Sequence, residues 1–155
     1  MTFEDGKGGL HWISTEELKN LCGAGSSTDG GGSSNGKVEF VFVSACYSRL
    51  AGEAFVSAGV GHVVCCQQDL LQDSAALAFT REFYMALAVG RTVKDSFEIG
   101  KQAVAASPSV PNSIDEMEKF ILLPEDGDHD VKIFDAKPIG NWKQREGGGG
   151  KERRR

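Results

Sequence analysis

No apolar run in this 155-residue chain approaches the ~20 residues that a membrane-spanning helix needs. The amino terminus also lacks the basic-then-apolar pattern of a secretory signal, so the sequence reads as cytoplasmic and without a membrane partner. Its four cysteines, Cys22, Cys46, Cys65 and Cys66, show no regular disulfide spacing, and in such a chain they are expected as reduced thiols. A broad basic face is missing too. The formal net charge is −5, which argues against nucleic acid because phosphate binding needs clustered cations. The one basic cluster, Lys151-Glu152-Arg153-Arg154-Arg155, stands behind four glycines and reads as a solvated tail. Gly30-Gly31-Gly32 does not sit between a strand and a helix, so nothing supports a nucleotide cofactor. There is no internal repeat. A hydrophobic content of 40% at this length does allow one domain with a modest core.

What is present begins with Val38-Glu39-Phe40-Val41-Phe42-Val43-Ser44-Ala45-Cys46. A near-continuous Val/Phe run predicts a strand over Lys37 to Ala45, buried on both faces of a parallel sheet. Open α/β sheets gather their chemistry beyond the carboxyl ends of such strands, which puts Cys46 where a nucleophile would stand. A free cysteine is also a good small hydrophobe, so the same position is compatible with a thiol that only packs.

Around that strand the punctuation is clear. Ser14-Thr15-Glu16-Glu17 has the form of a capping box, with Leu18 and Leu21 following at helical spacing, and predicts a helix from about Thr15 to Cys22. From Gly23 to Gly36 the chain is nearly all small and polar, a flexible surface loop. A helix over about Leu50 to Ala58, ended by Gly59, leads to a strand His62 to Cys66, completing a right-handed βαβ unit. Asp73 or Ser74 can cap a longer helix with Ala75, Ala76, Phe79, Phe83, Ala86 and Leu87 on one stripe, stopping at Gly90. A further helix from about Val93 to Ala106 places Val93, Phe97, Gly100 and Val104 on one face, before Pro108 and Pro111. Phe120 to Leu123 is a last short strand, ended by Pro124, and beyond Phe134 the glycines and charges predict loss of order.

These segments together resemble the carboxyl-terminal part of a CHAT domain, the caspase-like domain found with TPR arrays and related to separase. The resemblance spans roughly His11 to Leu123. It rests on Phe42-Val43-Ser44-Ala45-Cys46, on Ala54-Phe55-Val56-Ser57-Ala58-Gly59-Val60-Gly61-His62-Val63-Val64, and on Asp73 followed by Phe83-Tyr84 and Leu87-Ala88-Val89-Gly90. Lys119 to Phe134 looks like the end of eukaryotic members that sit beside NTPase and TPR modules. The resemblance implies a three-layer α/β/α sandwich, with residues 1–36 preceding the core, 37–134 forming the carboxyl-terminal part of the domain and 135–155 a Gly-rich basic tail.

It also implies a cysteine endopeptidase acting on a polypeptide, with Cys46 as nucleophile. A thiol attacks as thiolate and needs a base beside it. The family's base is a histidine in a His-Gly motif. Here the histidines stand as His11-Trp12, His62-Val63 and His129-Asp130, so the base is expected outside this chain. The sequence is expected to be an amino-terminally truncated copy, inactive alone. A non-catalytic pseudoprotease that binds a protein partner, or a gene remnant, are the alternatives. Asp73 corresponds to an acidic residue that shapes a pocket for a basic P1 side chain in related enzymes, and is equally a helix cap. Cys65-Cys66-Gln67-Gln68-Asp69-Leu70 departs from the Leu-Trp that most members carry before this aspartate. Missing early strands would leave an open edge beside the Cys46 strand, inviting self-association.

Other histidines carry quieter expectations. His11 is a loop-side residue before a capped helix, partly exposed. His62 begins a buried strand and reads as a hydrogen-bonded structural residue. Strand alternation sends Cys65 and Cys66 to opposite faces, against a zinc site with His62, and no metal is expected. His129, within Glu125-Asp126-Gly127-Asp128-His129-Asp130, lacks a calcium-loop pattern and reads as part of a solvated turn.

Overall fold

A computed structural model describes residues 2–4, 6–23, 38–67 and 70–135. The expected Gly/Ser loop and the glycine-rich tail lie outside these, apart from Gly23 and Asp135. The chain opens with a short antiparallel pair, β1 (Thr2–Glu4) against β2 (Leu10–Trp12). The helix α1 (Thr15–Gly23) follows, and its capping box forms as the sequence predicts. Glu17 Oε2 accepts from both the backbone N–H and the hydroxyl of Ser14 at 2.8 Å, while the Ser14 hydroxyl oxygen accepts from the Glu17 N–H at 3.2 Å. These Ser14 bonds hold the Glu17 carboxyl below its ordinary range. The helix buries Leu18 and Cys22, an i, i+4 pair, and leaves Leu21 60% exposed. Leu21 therefore contributes little to the core.

The main sheet has three strands in the order β3-β4-β5. Strand β3 (Phe40–Phe42) runs parallel to β4 (His62–Cys66), with helix α2 (Arg49–Ser57) between them in the chain. This is the expected β-α-β order. β4 is buried along its whole length, because it is the central strand with helices on both faces. β3 differs from expectation: it is shorter, and Phe40, Val41 and Phe42 are only half-buried. Its position at the sheet edge explains this, since among the described residues only β4 pairs with it. After α2, Gly59 takes φ +93° and turns the chain back toward β4, a conformation that L side chains rarely adopt.

Helix α3 (Asp73–Ala88) buries Ala75, Phe79, Phe83, Ala86 and Leu87, the expected stripe, with Ala76 half-buried at its margin. It ends at Gly90, φ +82°. Helix α4 (Val93–Ala105) starts on Thr92, whose hydroxyl accepts from the Asp95 N–H at 3.1 Å, and buries Val93, Ser96, Phe97, Gly100 and Val104. A five-residue helix α5 (Ser113–Met117) precedes β5 (Phe120–Leu123), which pairs antiparallel to β4. Neither β1, β2 nor α5 carries a periodic signal long enough to read from sequence.

Two clusters sandwich the sheet. On one face Phe79 of α3 stacks on Phe120 of β5, with ring centroids 4.0 Å apart, and meets Phe83 and Phe97. On the other, Leu18, Cys22 and Val60 pack with Val63, Cys65 and Leu123. Burial of one such phenylalanine is worth about 1.5–3 kcal/mol, so the aromatic stack is a principal tie between α3 and β5. The result is a mixed α/β fold with helices on both faces. None of the described helices is long and apolar enough to cross a membrane.

Candidate functional site at the carboxyl ends of β3 and β4

β3 ends at Phe42, and its backbone course continues with Val43 N–H donating to Val64 O at 2.9 Å. The chain then turns through Ala45, Cys46 and Tyr47, the last at φ +54°. Cys46 thus lies in the turn beyond the strand, and it is the exposed member of the four free cysteines. Its sulfur meets the segment before α3: the Leu71 N–H donates to Cys46 Sγ at 3.3 Å, and the thiol faces Leu71 O at 3.7 Å. One residue therefore offers the sulfur both a donor, which suits a thiolate, and an acceptor, which suits a thiol.

Ser48 ties the turn to the sheet. Its hydroxyl oxygen accepts from the Cys66 N–H at 2.8 Å, and its own proton points at Val43 O (3.3 Å) or Cys66 O (3.5 Å). Ser48 precedes α2 yet makes no side-chain cap there, because its oxygen is committed to the end of β4. Nothing local in the sequence distinguishes it from an ordinary cap.

A second anchor comes from Glu116 of α5 and Lys119. Glu116 accepts from the Gln72 N–H at 3.0 Å and from the Gln72 side chain at 3.2 Å, while Lys119 Nζ donates to Leu70 O at 2.6 Å. Burial pushes the Glu116 carboxyl up, but the bonds from Lys119 and Gln72 outweigh it and leave the group below its ordinary value. The segment touching Cys46 is thereby pinned on either side of Leu71.

Asp73 follows this segment as the first residue of α3, exposed. It does not act as the cap: Gln72 holds that position, with no side-chain cap bond, and Asp73 instead places its charge in the first turn, where the helix dipole favours it.

The histidines stand elsewhere. His62 begins β4, at the opposite end from Cys66, and so lies a strand length of roughly 13 Å from the Cys46 end. Its Nδ1 is 2.8 Å from His129 Nδ1, which fits the expected structural role. His129 departs from expectation. It is 8% exposed, with Nε2 2.8 Å from Pro124 O, because the turn after β5 folds back over the start of β4. His11 lies within β2 rather than in a loop, and is exposed. Cys65 sits in the cluster with Val63, where burial pushes its thiol up to about 12 and keeps it protonated. Among the described residues, no three His, Cys, Asp or Glu side chains converge as metal ligands. No family model matches the chain, and no curated protein matches it.

Proposed function

We propose that this chain is the carboxyl-terminal part of a CHAT-type, caspase-like cysteine endopeptidase domain, with Cys46 as the nucleophile. The observation that carries this reading is the exposed Cys46 sulfur beyond β3, accepting the Leu71 N–H at 3.3 Å beside the carboxyl ends of two parallel strands. Attack on a peptide carbonyl forms a sulfur–carbon bond, and the leaving amine must receive a proton. That acid–base step is worth about 10²- to 10⁴-fold. Neither His62 nor His129 stands at the Cys46 end of β4, and His11 of β2 faces Glu17, Asn20 and Leu21 of α1, so in this reading the base is a histidine outside these residues and the chain alone is inactive.

Asp73, two residues beyond Leu71, reads a basic P1 side chain; its exposed carboxylate suits the bidentate fork of an arginine. The half-buried edge strand β3 is where further strands or a second chain would pair. The same lack of a neighbouring histidine favours a second reading, a pseudoprotease that keeps the fold to bind a partner within a TPR- or NTPase-linked protein.

Alkylation of Cys46 over Cys22 does not separate these readings, because Cys22 is buried and unreactive for that reason alone. A peptidyl acyloxymethyl ketone separates them. Applied to the native protein in which the histidine is present, the probe with Arg at P1 should label Cys46 at least tenfold faster than its Asp-P1 counterpart, and Asp73→Asn should remove the preference. Equal labelling by both probes sinks the endopeptidase reading and leaves the binding module.

A further inference from the structure

β5 is the other outer strand of the sheet, and its free side is built differently from that of β3. The Gln67 N–H donates to Lys119 O at 2.8 Å, so Lys119 and Gln67 form a hydrogen-bonded pair of the antiparallel ladder. Alternation then makes Phe120 and Leu122 members of non-hydrogen-bonded pairs, with Cys66 and Val64. Their backbone N–H and C=O groups point away from β4. The other side of the sheet agrees: Val64 O accepts from the Val43 N–H in the β3 direction, and the Cys66 N–H donates to the Ser48 hydroxyl oxygen. Among the described residues no strand covers the outward groups of β5.

Beside that edge lies a groove of about 470 Å³, between β5, α4 and the turn 125–130. Two of its acids have cation partners, although Arg49 also serves Glu53. Glu118 pairs with Lys101 at 3.0 Å, and Glu125 with Arg49 at 2.8 Å. That leaves Glu98, Asp128 and Asp130 against Lys94. Phe97 and Phe120 line the groove as its apolar part.

We infer that the outer edge of β5 is a docking site for an extended basic peptide segment of a partner protein, which adds to the sheet as a fourth strand. Main-chain bonds to Phe120 and Leu122 supply the pairing, and the surplus carboxylates select cationic side chains. Four residues of strand span roughly 13 Å, so the segment engages with four or five residues. A second copy of β5 is a poor occupant, since its Phe-Ile-Leu-Leu brings no cation to Glu98, Asp128 and Asp130. The site is independent of Cys46.

Fluorescence anisotropy with the full chain and a capped, labelled Lys-Val-Arg-Val-Lys peptide tests this. Saturable binding is expected, weakened at least tenfold by N-methylation of the alternate amides that face β5. The Glu98→Lys/Asp130→Lys double variant, altered only at exposed positions, should weaken it at least tenfold, while Cys46→Ser leaves it unchanged. No binding, equal binding of the N-methylated peptide, or equal binding of Glu-Val-Asp-Val-Glu would each overturn the proposal. So would concentration-dependent dimers that occlude β5.

Discussion

Lys119 Nζ lies 2.6 Å from Glu116 Oε1, and the two residues hold the chain on either side of Leu71, the residue that touches the Cys46 sulfur. Glu116 is 3% exposed, so removing its charge weakens the tie to Lys119, which still donates to Leu70 O, and leaves the Gln72 N–H with a weaker acceptor. Because Lys119 is 18% exposed, the loss is that of weakened charge-assisted hydrogen bonds, about 1–3 kcal/mol. Glu116→Gln should lose stability of that order in urea unfolding, and should slow iodoacetamide alkylation of Cys46 at pH 7. An unchanged alkylation rate would make the pair a purely structural tie. Because the folded carboxyl is held below 4.5, its contribution is present above that pH and fades as pH falls through the folded value.

Two buried serines should respond to alanine with opposite signs. Ser48→Ala removes the hydroxyl acceptor of the buried Cys66 N–H beneath the Cys46 turn and should cost about 1–3 kcal/mol. Ser96 is fully buried in α4, and its hydroxyl finds no partner among the described residues. Ser96→Ala removes that penalty and should raise the midpoint of thermal unfolding. Loss of stability in Ser96→Ala would show that the hydroxyl is satisfied after all.

The difference between these serines also marks what the sequence can convey. β4 and β5 are legible to the residue, because each is an apolar run bounded by a breaker, Gly61 before one and Pro124 after the other. The stripes of α3 and α4 are legible for the same local reason, a period of 3.6 sustained over three turns or more. The role of Ser48 is not, since its partner lies 18 residues away, and the contact of Leu71 with Cys46 joins positions 25 apart. His129 is the extreme case: its charged, glycine-containing surroundings have every local mark of a solvated turn, and only the return of that turn over β4, 67 residues distant, buries it.

The buried helical glycines Gly52 and Gly100 are held by close packing rather than by backbone freedom. A Cβ at Gly100 would stand 2.8 Å from the Phe79 ring, which is stacked on Phe120 and has nowhere to move. At Gly52 it would stand 2.6 Å from Cys65 Sγ. Alanine gains about 0.5–1 kcal/mol of helix propensity at such sites, while overpacking costs about 1–3 kcal/mol. Packing wins. Gly100→Ala and Gly52→Ala should each lower stability in urea unfolding, and a stabilised variant at either position would mean that the two layers can separate cheaply.

The His62–His129 pair sets a pH limit on the turn that follows β5. Pro124 O can only accept, so His129 Nε2 carries a proton; in the neutral pair His129 Nδ1 then accepts and His62 Nδ1 donates. One added proton can be housed by reversing the central bond, but a second puts two donors face to face at 2.8 Å. Burial, with the neighbouring His129 charge, lowers the His62 value from 6.5; Glu39 just before β3 and Asp128 in the turn oppose the shift without cancelling it. Lys94, Glu98, Glu125 and Asp130 border His129 across the groove. A histidine whose folded value is lowered binds protons more readily when unfolded, so its contribution is complete above about 6.5 and is lost as pH falls below it. Unfolding free energy should therefore drop between pH 7 and pH 5, with the Lys94 amide, which donates to His129 O, losing hydrogen-exchange protection first. His62→Asn should flatten that slope. If the variant keeps the slope of the parent chain, the acid sensitivity belongs to the carboxylates, and the histidine pair is only a packing contact.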